Sequence, residues 1–185
     1  MITRENAKMV LEKYLENESL RKHCLAVGLI MESLAEKFGE NKDKWFITGL
    51  LHDIDLDVIG DEMNLHGLKG AEILNNYDVD DEMKGAILAH ADQKKVVTDL
   101  DKWLWASDPL SGLVNASALM RPDKKISNMP LKSLKKKFKS KKFAAGVNRE
   151  QIKSCENFGL SLDEFLSLAI EAMSKRENEL IDIPS

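Results

Sequence analysis

Apolar residues along this chain recur three and four positions apart, the spacing of one face of a helix, and no segment alternates as a half-buried strand does. A first helix is predicted from about Thr3 to Glu16, with Ala7, Val10, Leu11, Tyr14 and Leu15 on its inner face. Ser19 reads as the N-cap of a second helix that ends near Gly39, its stripe formed by Leu20, His23, Val27, Ile30, Met31 and Leu34. A third covers roughly Lys42 to Ile54. The apolar residues between Asp55 and Asn64 keep no helical period, so this stretch is expected to be a loop. Helical patterns resume at about His66 to Asn76, Asp80 to Ala91 and Leu100 to Met120. Pro109 is expected to kink or divide the last of these. After a turn at Arg121-Pro122-Asp123 comes a basic segment of one or two short helices. Asn148 and Ser161 then look like N-caps, each with a Gln or Glu three residues on, as a capping box requires. The helix starting at Ser161 is expected to pack back on the core.

These patterns predict an all-α fold, a single domain of 185 residues with one helical core at about 19–121 and a helical extension over 122–185. Composition adds little: 43% apolar and 31% charged residues describe an ordinary water-soluble chain. No stretch approaches the ~20 apolar residues of a membrane span. The N-terminus is charged throughout, so neither a signal nor a transit peptide is expected, and a cytoplasmic location follows as an expectation. Cys24 and Cys155 lack metal-ligand or redox spacing and read as two free thiols.

Charge changes the reading more. The formal net charge is -4, yet Arg121 to Lys142 contains ten Lys/Arg and one acid, a local +9. Such a block suits a solvated helix face, a nucleic-acid footprint or a lid over phosphates. Its aromatic residues are too few for a stacking platform, so nucleic acid is not the expected partner. Neither GxGxxG, GxxxxGK, GxSxG nor HExxH occurs, which leaves dinucleotide binding, P-loop chemistry and serine hydrolysis without support.

The histidines carry the chemistry. His52 and His90 lie within apolar runs, where each ring nitrogen must find a hydrogen bond or a metal. Taken singly, each reads as a satisfied core histidine. Asp53 directly follows His52, however, and Asp108 interrupts the apolar face of another helix. Adjacent helical residues point about 100° apart, so His52-Asp53 at a helix end can straddle one ion, with His23 and Asp108 closing the shell from other helices. Mixed imidazole and carboxylate ligands suit Mn, Fe, Co, Ni or Zn, and leave positions open for water and substrate.

The order His23, His52-Asp53, Asp108, with the run Gly49-Leu50-Leu51-His52-Asp53-Ile54-Asp55, resembles the HD superfamily of metal-dependent phosphohydrolases. Its best-known variant has Gly where this chain has Asp55, which sets the chain apart from the cyclic-dinucleotide phosphodiesterase subtype. Leu65-His66-Gly67-Leu68, Ser107-Asp108-Pro109-Leu110-Ser111-Gly112-Leu113, Arg121-Pro122-Asp123-Lys124-Lys125 and Phe143-Ala144-Ala145-Gly146-Val147-Asn148-Arg149 are similar to a group of small prokaryotic HD proteins described as predicted hydrolases. The resemblance implies one or two divalent ions. His23, His52, Asp53 and Asp108 would hold the first, His66 and His90 the second, with Asp53 bridging as the catalytic carboxylate. It further implies metal-activated water attacking a phosphoester or phosphoanhydride of a nucleotide or other small phosphorylated metabolite. Lys69 is then a catalytic cation, Arg121, Lys124 and Lys125 are substrate-binding, and Asp92 is placed to orient a ligand or a water. The same ligands occur in the mixed-valence diiron oxygenases of the superfamily, and a nucleotide-sensing module without turnover is the third possibility. The oligomeric state is not legible in the sequence.

Overall fold

The computed structural model describes residues 1–181, and among these there are helices and turns but no strand. The chain runs through α1 (Arg4–Tyr14), α2 (Glu18–Phe38), α3 (Lys42–Leu51), α4 (Leu56–Ile59), α5 (Leu68–Leu74), α6 (Asp81–His90), α7 (Asp99–Leu119), α8 (Leu131–Lys139), α9 (Arg149–Lys153), α10 (Leu162–Ser174) and α11 (Glu177–Leu180). The all-α expectation holds.

The centre of the bundle is the packing of α2 on α3, flanked by α7 and α6. Val27, Ile30, Met31 and Leu34 of α2 are fully buried, as are Ile47 and Leu51 of α3. Two glycines let the helix backbones meet. A Cβ on Gly49 would stand 2.8 Å from both the nitrogen and the Cα of Gly28, so a side chain there would force the helices apart. This crossing delivers His23 and His52 to one end of the contact. The C-terminal helices close the other side: Phe165 of α10 and Phe158 pack at 5.3 and 5.7 Å from the Trp103 ring of α7.

Local capping explains most helix starts. Thr3 and Asp80 each cap a helix through a side-chain acceptor, and Thr98 with Asp101 and Ser161 with Glu164 form full capping boxes. At Asn148 the side chain accepts from Glu150 and Gln151, a plain cap in place of the expected box.

Several boundaries differ from the sequence reading. Asn17, not Ser19, caps α2, because its side-chain oxygen takes the N–H groups of Ser19 and Leu20. The expected loop over Asp55–Asn64 contains α4 and leads into a 3-10 turn, Met63–Leu65. The helix expected from His66 starts only at Leu68, since Gly67 sits at φ +77° and breaks the run. Pro109 does not divide α7, which is continuous from Asp99 to Leu119. Proline removes one ladder donor, the one that would reach the Trp105 carbonyl. Buried Leu104, Ala106, Leu110 and Leu113 hold the helix in place on both sides of it.

The basic segment forms α8, whose Leu134 is buried while Lys132, Lys136 and Lys139 face solvent. Lys135 pairs with Asp163 at 2.7 Å. Arg149 organises the following turn by donating to the carbonyls of Ser140, Phe143, Ala144 and Val147. Cys24 and Cys155 are both buried free thiols. Among the described residues no helix is long and apolar enough to cross a membrane.

Candidate metal centre

Four helices and one loop converge on the Asp53 carboxylate. His23 comes from α2, His52 caps the C-terminal end of α3, His90 is the last residue of α6, and Asp108 lies midway along α7. His66 alone is loop-borne, between the 3-10 turn and α5.

The two oxygens of Asp53 face different partners. Oδ2 stands 3.2 Å from His52 Nε2 and 3.5 Å from His23 Nε2. Asp108 Oδ1 completes this group at 3.0 Å from His23 Nε2 and 3.8 Å from His52 Nε2. Oδ1 of Asp53 stands 3.3 Å from His90 Nε2 and 3.4 Å from His66 Nε2. Two ligand atoms about 2.1 Å from one ion are about 3.0–3.4 Å apart, depending on geometry. The separations around Asp53 fit ligands that share a cation on each side of the carboxylate.

The far nitrogen of every imidazole is held by an acceptor. His52 Nδ1 lies 2.8 Å from the Gly49 carbonyl and His90 Nδ1 2.5 Å from the Ile87 carbonyl, each three residues back in its own helix. A carbonyl only accepts, so both rings donate there. His66 Nδ1 donates to Asp55 Oδ1 at 2.9 Å. His23 Nδ1 contacts Ser111 Oγ at 3.0 Å, and that hydroxyl spends its own proton on the Asp108 carbonyl, which leaves it to accept from the ring. All four neutral rings therefore turn an Nε2 lone pair toward carboxylate oxygens. Two electron-rich atoms in contact need a cation between them, whether protons or metal. Supplying it by protons would make four imidazolium ions whose neighbouring ring centroids lie only 4.9–5.1 Å apart, against two carboxylates. The fully buried Nε2 of His52 makes no well-aligned hydrogen bond, although Asp53 Oδ2 stands 3.2 Å away. These residues fit a divalent metal ion.

Electrostatics point the same way. Burial works against charge on His52, but Asp53, Asp108 and Cys24 together outweigh it and raise the ring well above its ordinary value. Burial likewise opposes ionisation of Asp53, and His52, His90 and His23 together overcome it, holding the carboxyl well below the usual range. For Asp108, His23 and His52 overcome the burial penalty and lower it too. Two anions are thus fixed beside imidazole nitrogens that they draw toward positive charge, a demand that a bound cation would meet in place of protons. Exposure rises from 0% for the His52 side chain to 34% for Asp108, so solvent reaches the centre from the Asp108 side.

Other residues named from the sequence make contacts of their own. Lys69 lies on α5 with its ammonium 2.9 Å from both oxygens of Glu72. Arg121 follows the end of α7, and Leu119 at that end is about 17 Å along the axis from Asp108 at 1.5 Å per residue. Its guanidinium is paired with Asp123, at 3.0 Å through two nitrogens. With its guanidinium so paired, no hydrogen bond or ion pair among the described residues joins Arg121 to the six converging residues. Asp92 is exposed, at φ +58°; its neighbour Gln93 does the holding, donating to the carbonyls of Asn64 and His66.

Four participants escaped the sequence reading. Asp55, fully buried, accepts from His66, Gly67 and Gly70. Its signal was the departure from Gly in the His-Asp motif. Ser111 and Gln93 carried no signal beyond their place near ligands. Cys24 offers its sulfur within 4.8 Å of His52 and Asp53 ligand atoms, and burial raises its pKa.

With this geometry in hand, sequence comparison decides the family. The HD domain profile matches residues 20–113, just over half of the chain. The chain belongs to the HD domain family. HD domains bind divalent metals, and the membership places this chain in a superfamily of metal-dependent hydrolases. Its relatives include Ribonuclease Y of Geotalea uraniireducens, 30% identical over 96 residues, 52% of this chain and 18% of that protein. Ribonuclease Y of Fervidobacterium nodosum is 34% identical over 89 residues, 48% of this chain and 17% of the relative. For Ribonuclease Y of Thermotoga petrophila the match is 28% over 136 residues, 72% and 27% respectively. The HD chain thus spans about a quarter or less of the length of these relatives. No solved structure matches it.

Proposed function

We propose that this HD protein is a phosphohydrolase with a dinuclear centre, acting on a phosphoester or phosphoanhydride of a nucleotide or other small phosphorylated metabolite. The observation that carries the reading is the division of Asp53, one oxygen toward His23 and His52 and the other toward His66 and His90. When bound, a pair of divalent ions makes water more acidic and neutralises charge on a phosphoryl group. His23, His52, Asp53 and Asp108 would hold one ion; Asp53, His66 and His90 would hold the other. The chain's own groups do the rest. The Nδ1 acceptors hold the single proton of each neutral ring at Nδ1 and leave Nε2 to the ion, and the apolar walls of α2, α3 and α7 keep bulk water behind the ligands. The partly exposed His23–Asp108 edge admits the substrate. Lys69 is proposed to exchange Glu72 for a phosphate oxygen, contributing charge in the transition state.

The relatives are named as ribonucleases, so the same domain there accompanies phosphodiester cleavage. That supports the reaction class here, and the polymer is not carried over. Purified protein loaded with Mn2+, Co2+ or Ni2+ should release phosphate or cleave a generic phosphodiester, and lose this with Asp53→Ala. Iron-dependent oxygen uptake without any phosphoester cleavage would replace this reading by the oxygenase one.

A further inference from the structure

The loop that carries His66 is held by two side chains from outside it. Asp55 takes hold from below: Oδ1 accepts from His66 Nδ1 at 2.9 Å, and Oδ2 accepts from the backbone N–H groups of Gly67 at 2.7 Å and Gly70 at 2.9 Å. The carboxylate is fully buried, and every bond it makes goes to residues 66–70. Gly70 is fitted to it, since a Cβ there would stand 3.3 Å from Asp55 Oδ2. Gln93 holds the other side through the carbonyls of Asn64 and His66, at 3.1 and 3.0 Å. Gly67 is pressed against α6, where a Cβ would come within 2.7 Å of Ala91.

His52 and His90 are oriented by a carbonyl of their own helix, and His23 by Ser111 across the α2–α7 contact. His66 has no helix to orient it. We infer that Asp55 is a positioning residue which, by keeping His66 in its Nδ1–H form with Nε2 turned toward Asp53, determines whether the centre accepts a second divalent ion. The inference rests on the two-ion reading above and adds a control element to it: a carboxylate where the best-known form of the motif has a glycine.

The chemistry of an Asn at this position makes the role testable. In Asp55→Asn the backbone N–H groups of Gly67 and Gly70 claim the remaining carbonyl oxygen. The amide NH2 then faces His66 Nδ1 and has only protons to offer. The ring must accept there, which moves its own proton to Nε2, the atom that should ligate. Shape is conserved while the tautomer is reversed. A purely structural role would not produce this signature.

The experiment uses the full chain, titrated with Mn2+ alone, and a zinc-loaded sample labelled with 15N-histidine, in which only four rings report. Wild type is expected to take two ions, with all four rings protonated at Nδ1 and metal-shifted at Nε2. Asp55→Asn should keep the first ion and bind the second about 10–100-fold more weakly, the usual cost of losing a ligand's orienting partner. His66 alone should lose its metal-shifted Nε2 signal. Unchanged affinity for the second ion, or an unaltered His66 signal, overturns the inference. Wild type taking one ion overturns it together with the two-ion reading. Wild type taking none refutes the metal centre itself, a distinct result. Should Asp55→Asn fail to fold, zinc-loaded wild type still decides: a His66 ring protonated at Nε2 overturns the proposal.

Discussion

The two sides of Asp53 are built by different means. On the Oδ2 side, His23, His52 and Asp108 ride on α2, α3 and α7, whose buried faces form the middle of the core. On the Oδ1 side, His90 ends a helix but His66 hangs in a loop secured by Asp55 and Gln93. Ligands of the first kind are positioned by the hydrophobic core, so whatever folds the protein orders them. A ligand of the second kind is positioned by a few polar contacts and can be lost while the fold stays intact. The comparison therefore predicts a centre whose two sides fail separately.

Only Asp53 belongs to both, and its removal should have the largest effect. Asp53→Ala is expected to abolish binding of both ions and, with them, hydrolysis, as read by metal analysis of the purified protein. His66→Ala should instead leave one ion per chain. Two substitutions that behave alike would break the comparison.

The next effect strikes the helix-borne side through the core. Gly49→Ala puts a methyl 2.8 Å from the Gly28 backbone, where neither helix can yield without moving. Overpacking of this kind costs about 1–3 kcal/mol. The denaturation midpoint should fall accordingly, and first-ion affinity with it, because α3 carries both His52 and the Gly49 carbonyl that orients it. A variant of wild-type stability would mean that the α2–α3 contact does not set the site.

How far the sequence revealed these two sides follows from the same distinction. Helical period and capping residues are local signals, and they located α1, α6 and α7 to within a residue or two of their observed limits and α10 at its start. His52, His90 and Asp108 stood out because polar residues within apolar helical runs need a reason, and Asp53 because it directly follows His52. The loop-borne side was less legible. Asp55 to Asn64 looked like unstructured acidic chain, since the bonds that order the segment join Asp55 to Gly67 and Gly70, 12 and 15 residues on. No period encodes such a contact. Arg121 attracted attention as charge near a motif, yet its charge is spent on Asp123, two residues away.

A smaller, graded effect comes with pH and has opposite signs in the two states. In the metal-free protein, burial disfavours charged His52, but Asp53, Asp108 and Cys24 together raise the ring well above its ordinary 6.5. That stabilisation is complete below 6.5 and is lost as pH rises through the elevated folded value. Asp53 and Asp108, held below their ordinary 3.8, add stability present above that pH and lost as pH falls through the depressed values. The metal-free Tm should therefore be highest between about 4 and 6.5 and decline toward pH 8.5. Ions displace the ring protons, so loading should strengthen as pH rises, and the gap between loaded and metal-free Tm should widen. A metal-free Tm that climbs from pH 6.5 to 8.5 would contradict this balance.

The smallest effect should come from Gln93→Ala. Its amide donates two neutral hydrogen bonds to the backbone of the His66 loop, each worth about 0.5–1.5 kcal/mol net. It touches no ring nitrogen, so the His66 tautomer stays under the control of Asp55. Loss of Gln93 should loosen the loop and weaken the second ion only several-fold, with the histidine spectrum of the loaded protein unchanged and the first ion unaffected. If this variant lost the second ion as fully as Asp55→Asn does, restraint of the loop rather than orientation of its imidazole would be what the second ion requires. The contrast between the two sides would then rest on backbone order alone.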